Sequence, residues 1–347
     1  HFYVEGIDKL DTPIFEIRSL NHSYAGKTVL AIEYLKVQPA SIIGLIGPNG
    51  SGKSSLLRLL GLIERPSRGE ILFNGFRVEP FADAARSQIT LLPQEPILLK
   101  RSVLNNVSYG LKLRSNGKEV LAKANEALAR VGFPAESFSQ RPWYALSGGE
   151  AQRVALAARL ALKPKVLLMD EPTASVDAAS AQLIKEASLR ARKEMGTTLV
   201  VASHDWQWLY EICDEILHIY NGRIFGTGRE TIIFGPWQNL APGRWGKNLS
   251  DNQQLLVSAP PRPEAAAVID VLSVSEDASA HADEDIVLSG TVYRLSLERK
   301  TGQLFANILI GDIPFTVGVA VQQGKEHTMF PGKTVFIRYR LDQIKWI

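Results

Sequence analysis

Residues 45–60 read LIGPNGSGKSSLLRLL, a glycine-rich loop set between two apolar runs. Gly47 to Ser54 fits the pattern G-x-x-x-x-G-K-[ST], with Gly47, Gly52, Lys53 and Ser54 at the fixed positions and Asn49, Gly50, Ser51 and Ser55 as neighbours. In such a loop the glycines let backbone N–H groups turn inward around phosphate oxygens. The helix that follows offers its positive N-terminus to the same anion. Lys53 then reaches the β- and γ-phosphates, and the Ser54 hydroxyl faces Mg²⁺. The apolar IIGLI at 42–46 reads as a buried strand before the loop, and the leucine-rich stretch after it as a helix.

A phosphate site of this kind needs a second element, an apolar strand that ends in carboxylates. VLLMDEP at 166–172 supplies it. Asp170 at the strand tip can hold Mg²⁺ through water, and Glu171 beside it can orient and polarise an attacking water. Together the two stretches imply hydrolysis of a nucleoside triphosphate.

Outward from these, strand and helix patterns alternate. Strands are expected at 14–24, within 166–172, near 198–205 and twice within 215–230, and helices over 118–131 and 150–162. That alternation predicts an α/β fold with a mostly parallel sheet. At 347 residues the chain is long enough for about two domains. The composition turns Pro- and Gly-rich after about residue 233, so 14–233 is read as one domain and 234–285 as linker and irregular segment. Short strand patterns return over 286–347 and predict a small all-β barrel.

Lys and Arg number 39 against 36 Asp and Glu, a net charge of +3 that makes no case for a nucleic-acid partner. The single cysteine, Cys213, excludes an internal disulfide and suits a reducing compartment. No apolar run approaches the length of a membrane span, and no secretory signal is read.

LSGGEAQR at 146–153 gives these motifs a family context. With the glycine loop, Gln94 in LLPQEP, LLMDEPTASVD at 167–177 and His204 in SHD, it forms an ordered set that resembles the ATP-binding subunits of ABC transporters over about residues 14–230. The resemblance implies a P-loop ATPase domain using ATP and Mg²⁺ and acting as a homodimer, each ATP clamped between the loop of one chain and Ser147, Gly148, Gly149 and Glu150 of the other. Ser147 followed by Glu150 is also a helix capping box, and both readings can hold at once.

By the same resemblance Gln94 touches Mg²⁺ and the water site, His204 supports Glu171 and the γ-phosphate, Tyr24 stacks on adenine, and Asp177 makes a contact across the dimer. The family's usual Ser-Ala-Leu-Asp is Ala-Ser-Val-Asp here, at Ala174–Asp177. One glycine loop and one LSGGE argue against a two-cassette ribosomal ATPase. The compact interval 55–145, without sustained heptads, argues against the coiled-coil DNA-repair class.

The resemblance then implies the transporter class: a subunit expected to work with separate permease subunits at the cytoplasmic face of a bacterial inner membrane, and indirectly with an external substrate-binding protein. The segment 96–111 lies where a permease helix docks in the family. The C-terminal domain, expected to be OB- or TOBE-like, points to import. The motif stretches look most like tungstate or molybdate importers, with sulfate, iron, sugar and polyamine importers as alternatives. The parallel with molybdate-binding barrels places Asp283, Glu284 and Asp285 at one anion-holding segment and Arg340, Leu341 and Asp342 at the other. Three carboxylates there would repel an oxyanion.

Overall fold

The structure, a computed structural model, describes residues 12–80, 82–114, 117, 119–134, 138–225, 231–241, 243–277, 285–297, 304–319 and 329–347. The chain divides into two compact units, His1–Phe225 and Gly226–Ile347.

The first unit runs β1 (Phe15–Tyr24), β2 (Lys27–Val37), β3 (Ile42–Ile46), α1 (Lys53–Leu60), β4 (Arg68–Phe73), β5 (Phe76–Arg77), α2 (Asp83–Arg86), β6 (Ile89–Leu92) and α3 (Val103–Arg114). It continues through α4 (Val120–Arg130), α5 (Gly148–Leu160), β7 (Val166–Asp170), α6 (Ala178–Met195), β8 (Thr198–Ala202), α7 (Trp206–Ile212), β9 (Glu215–Tyr220) and β10 (Arg223–Phe225). β2, β1, β4 and β5 form an antiparallel sheet in that order. The second sheet has the order β10-β9-β3-β8-β7-β6 and is parallel from β9 to β6.

Every residue of β3 and β8 is buried, so these strands read as unbroken apolar runs rather than alternating ones. Because β3, β8 and β7 are parallel neighbours, their carboxyl ends lie side by side, and the loops that begin at Gly47, Ser203 and Glu171 converge there. Helix α1 roots the glycine loop: Leu56, Leu57, Leu59 and Leu60 are wholly buried in a core shared with β1, β2, β3 and β8. Each such leucine contributes about 1.5–3 kcal/mol through burial.

Apart from a 3₁₀ turn at Leu341–Gln343, the regular structure of the second unit is all β among its described residues. Its strands are β11 (Thr231–Ile233), β12 (Gln238–Ala241), β13 (Arg244–Asn248), β14 (Gln254–Val257), β15 (Ala267–Ile269), β16 (Ser273–Ser275), β17 (Ile286–Leu297), β18 (Leu304–Ile310), β19 (Ile313–Val319), β20 (Thr334–Tyr339) and β21 (Lys345–Trp346). β17 to β20 fall where the strand patterns predict them. One expectation needs correction. Residues 234–285 hold five of these strands, β12 to β16, rather than a linker.

Most of their Pro and Gly residues lie in the connections between strands of only three to five residues. The apolar residues are anchored from afar: Trp237 is buried and donates Nε1–H to Ala265 O at 2.7 Å, and Ala267 pairs with Trp346. The described strands form a five-stranded sheet, β16-β20-β17-β18-β19, and two three-stranded sheets, as a small β domain requires. Asp283 and Glu284 lie outside the described residues, while Arg340 pairs with Asp342 at 3.2 Å.

Candidate active site

Residues from four strand ends and the glycine loop line one cleft of about 570 Å³: Tyr24, Asn49 to Ser55, Gln94, Asp170, Glu171 and His204, together with Val29, Thr173, Ala174, Ser203 and Asp205. The loop and Asp170–Glu171, derived from residue chemistry, and Gln94, His204 and Tyr24, implied by resemblance, thus meet in one place.

Gly52 ends the loop and begins α1 at φ +111°, a conformation open to glycine but strained for other residues. No side chain caps this helix end and no acid sits in its first turn, so its N–H groups remain available to an anion. Lys53, only 6% exposed, donates from Nζ to Gly47 O at 2.7 Å and Pro48 O at 3.3 Å, which fixes the loop from inside. Burial lowers the Lys53 pKa, against the opposing charges of Glu171 and Asp170.

Glu171 stands at φ +46°, its N–H held by Ala202 O at 2.8 Å. It is 8% exposed. Its Oε2 accepts from the His204 N–H at 3.1 Å, whereas Oε1 is buried without a hydrogen bond, 3.3 Å from His204 Nε2. A buried carboxylate oxygen left open in a polar cleft can accept a proton from a water delivered there. His204 Nε2 also lies 2.9 Å from Asn49 Oδ1 and 3.3 Å from Lys53 Nζ. Asp205 caps α7 through Trp208 N–H at 3.0 Å and so fixes the turn that carries His204. Asp170, Ser54 and Gln94 supply carboxylate, hydroxyl and amide oxygens on the same cleft, the hard donors that suit Mg²⁺. Among the described residues no cluster of three or more His, Cys, Asp or Glu is arranged for a metal ion.

The signature segment is not part of this cleft. Ser147 and Gly148 are exposed at the start of α5. The capping box is complete: Glu150 N–H donates to Ser147 Oγ at 3.2 Å, and Ser147 N–H to Glu150 Oε2 at 2.8 Å. Glu150 also pairs with Arg141 at 3.1 Å, so its carboxylate is engaged within its own chain. The Ser147 hydroxyl accepts from the Glu150 N–H and also lies against the Glu150 carboxylate. Asp177 is likewise engaged within its chain as the cap of α6. It accepts from Ser180 N–H at 2.8 Å and Ser180 Oγ at 2.9 Å, and these bonds hold its carboxyl below the usual value. Gly149 is required by close approach, because a Cβ there would meet Ser180 Oγ at 2.6 Å and Asp177 Oδ2 at 2.9 Å.

Sequence reading did not anticipate Thr173, Ala174, Ser203 or Asp205 in the cleft; their adjacency to Glu171 and His204 was the available signal. It also missed Asn106, whose amide holds the 99–102 loop through Leu99 N–H at 2.7 Å and Leu99 O at 3.1 Å. Ile97 and Leu99 are exposed beside this clamp.

Residues 33–174 match the ABC transporter family profile. The tungstate uptake system ATP-binding protein TupC of Peptoclostridium acidaminophilum is 37% identical over 209 residues, 60% of this chain and 95% of that protein. The chain belongs to the ABC transporter family. Within that family it is an ATP-hydrolysing subunit related to import ATP-binding proteins. The spermidine/putrescine import ATP-binding protein PotA of Mesoplasma florum is 33% identical, covering 67% of this chain and 66% of that protein. The dimeric ATP-binding cassette MJ0796, in a post-hydrolysis state bound to ADP and Pi, aligns at TM-score 0.57 and 26% identity over 62% of this ABC transporter chain and 99% of its own. No helix among the described residues of this ABC subunit is long and apolar enough to cross a membrane.

Proposed function

We propose that the cleft binds ATP and hydrolyses it to power uptake of an oxyanion, tungstate or molybdate. The observation that carries the hydrolytic reading is the open, buried Oε1 of Glu171 beside His204 and the buried Lys53. The N–H groups of the glycine loop and first turn of α1 cradle the phosphates, and Lys53 neutralises the β- and γ-phosphates. Glu171 accepts a proton from the water that attacks the γ-phosphorus, while His204 donates to a γ-phosphate oxygen. Ser54, Asp170 and Gln94 would hold Mg²⁺, whose charge offsets that of the phosphates. Tyr24 stacks on the adenine base.

The chain acts as a homodimer. Ser147, Gly148 and Gly149 of one copy face the γ-phosphate bound by the other, and Glu150 braces that turn from behind. Two features support this: the signature turn lies away from its own chain's cleft, and the related cassette MJ0796 is dimeric. Asp177 adds to the same interface by fixing the start of α6. Exposed Ile97 and Leu99, beside the Asn106 clamp, meet a permease subunit at the cytoplasmic face of the membrane, and an external binding protein delivers the cargo. Residues 14–225 form the ATPase domain rather than 14–233, since β11 (Thr231–Ile233) pairs with β15, and the strands from β11 onward form an accessory β domain.

The tungstate reading rests on the match to nearly the whole of TupC. A second reading, polyamine uptake, is favoured by the likeness to PotA. Reconstitution with its permease and binding protein in vesicles decides between them. ATP-dependent uptake of labelled tungstate or molybdate, but not spermidine, is expected; uptake of spermidine alone would reverse the assignment.

A further inference from the structure

Tyr24 lines the cleft from the end of β1, and its ring is fastened from the far side. Its hydroxyl donates to Glu64 Oε2 and accepts from Arg58 Nη2 at 3.1 Å. Arg58 Nε donates to Glu64 Oε1 at 2.8 Å, so phenol, guanidinium and carboxylate close a ring of three hydrogen bonds. Arg58 also donates to Ser55 Oγ at 3.2 Å, in the first turn of α1. His22 meets the Tyr24 ring edge-on at 4.7 Å, and its Nε2 lies 3.3 Å from Glu64 Oε2. Tyr24 and Ser55 line the cleft, whereas Arg58, Glu64 and His22 stand behind it.

From this network we infer that Arg58 and Glu64 are positioning residues, which lock the Tyr24 ring as a nucleobase platform and tie it, through Ser55, to the helix that cradles the phosphates. The inference rests on the reading of Tyr24 as the base-stacking residue. An exposed tyrosine with a free hydroxyl samples several rotamers and loses that freedom when a base stacks on it. A ring already held through its hydroxyl loses less, so the benefit falls on the base and not on the phosphates. With the hydroxyl bound to Glu64, the ring offers the base its face rather than a hydrogen bond.

The test compares ATP with inorganic tripolyphosphate, which lacks a base. Calorimetry on the full chain gives Kd for both in the wild type, Glu64→Ala, Glu64→Gln, Tyr24→Phe, Tyr24→Ala and the Tyr24→Phe/Glu64→Ala double variant. Tyr24→Phe keeps the ring and removes only the fastening, so it reports even where a Glu64 variant folds poorly. Expected is a loss of about 3–10-fold in ATP affinity for both Glu64→Ala and Tyr24→Phe, with tripolyphosphate affinity unchanged and little further loss in the double variant. Glu64→Gln, which keeps an acceptor oxygen, should recover most of the affinity. KM for ATP should rise while kcat holds. Equal losses from Glu64→Ala in the wild-type and Tyr24→Phe backgrounds, or a parallel loss for tripolyphosphate, would overturn the positioning role. Tyr24→Ala with full ATP affinity would instead remove the stacking reading itself, and the proposal with it.

Discussion

His204 meets Glu171 at both carboxylate oxygens: its main-chain N–H donates to Oε2 at 3.1 Å, while its ring Nε2 stands 3.3 Å from Oε1 without a hydrogen bond. The first contact is independent of the side chain, and the second depends on it. This division allows the roles of the two residues to be separated by substitution.

Glu171→Gln preserves shape and an acceptor for the His204 N–H but removes the basic oxygen. ATP binding should persist and turnover should fall by about 100-fold or more, as for loss of a general base. Rapid-quench hydrolysis beside equilibrium binding measures both. Turnover within about threefold of wild type would exclude Glu171 as the base.

His204→Ala leaves the backbone donor in place, so Glu171 should keep its position. A loss of about 100-fold in kcat is expected, in the range for removing one donor to a developing charge, with the thermal midpoint little changed. A large fall in the midpoint would instead mark the imidazole as structural.

Lys53→Ala removes a buried ammonium whose pKa burial lowers despite Glu171 and Asp170 nearby. ATP affinity should fall by about 10–100-fold, the value of a charged hydrogen bond. Stability should fall in thermal melts, because the Gly47 and Pro48 carbonyls lose their donor and Glu171 and Asp170 lose a neighbouring positive charge. Unchanged ATP affinity would count against its phosphate role.

Ser147 has two jobs that substitution can part. Aspartate caps helices about as well as serine, so Ser147→Asp should keep the wild-type midpoint, whereas Ser147→Ala should cost about 1 kcal/mol. Yet a carboxylate repels phosphate, so Ser147→Asp should abolish ATP-driven dimerisation, read by light scattering in the Glu171→Gln background. Retained dimerisation would leave Ser147 with its capping role alone.

Asp177 carries a pH signature. Bonds from Ser180 hold its carboxyl below the ordinary 3.8, so its folded-state pKa is depressed. Its stabilising contribution is complete above 3.8 and fades as pH falls through the lower folded value. Asp177→Ala should therefore melt below wild type at neutral pH, and the gap should close on acidification. A gap constant across that range would show that the carboxylate charge is not what caps α6.

Much of the site was legible because its chemistry is local. Gly47 to Ser54 and Asp170–Glu171 are contiguous strings whose roles follow from residue type and from the strand each one leaves. The capping box at Ser147–Glu150 was legible for the same reason, since its partners sit three residues apart. Residues 234–285 were misread because strands of three to five residues carry too few positions to show alternation, and their partners lie far along the chain, as Ala267 and Trp346 do.

The sequence by itself determined the phosphate loop, the carboxylate pair and the α/β order of the first unit, because hydrophobic periodicity and backbone chemistry act over a few residues. Only the tertiary structure decided that Glu171 leaves Oε1 without a hydrogen bond beside His204, that Glu64 and Arg58 fasten Tyr24, that Asp177 bonds Ser180, and that Glu150 also pairs with Arg141. Those outcomes depend on side chains meeting across 3 to 40 positions of sequence, where hydrogen-bond distance, and not residue type, selects the partner.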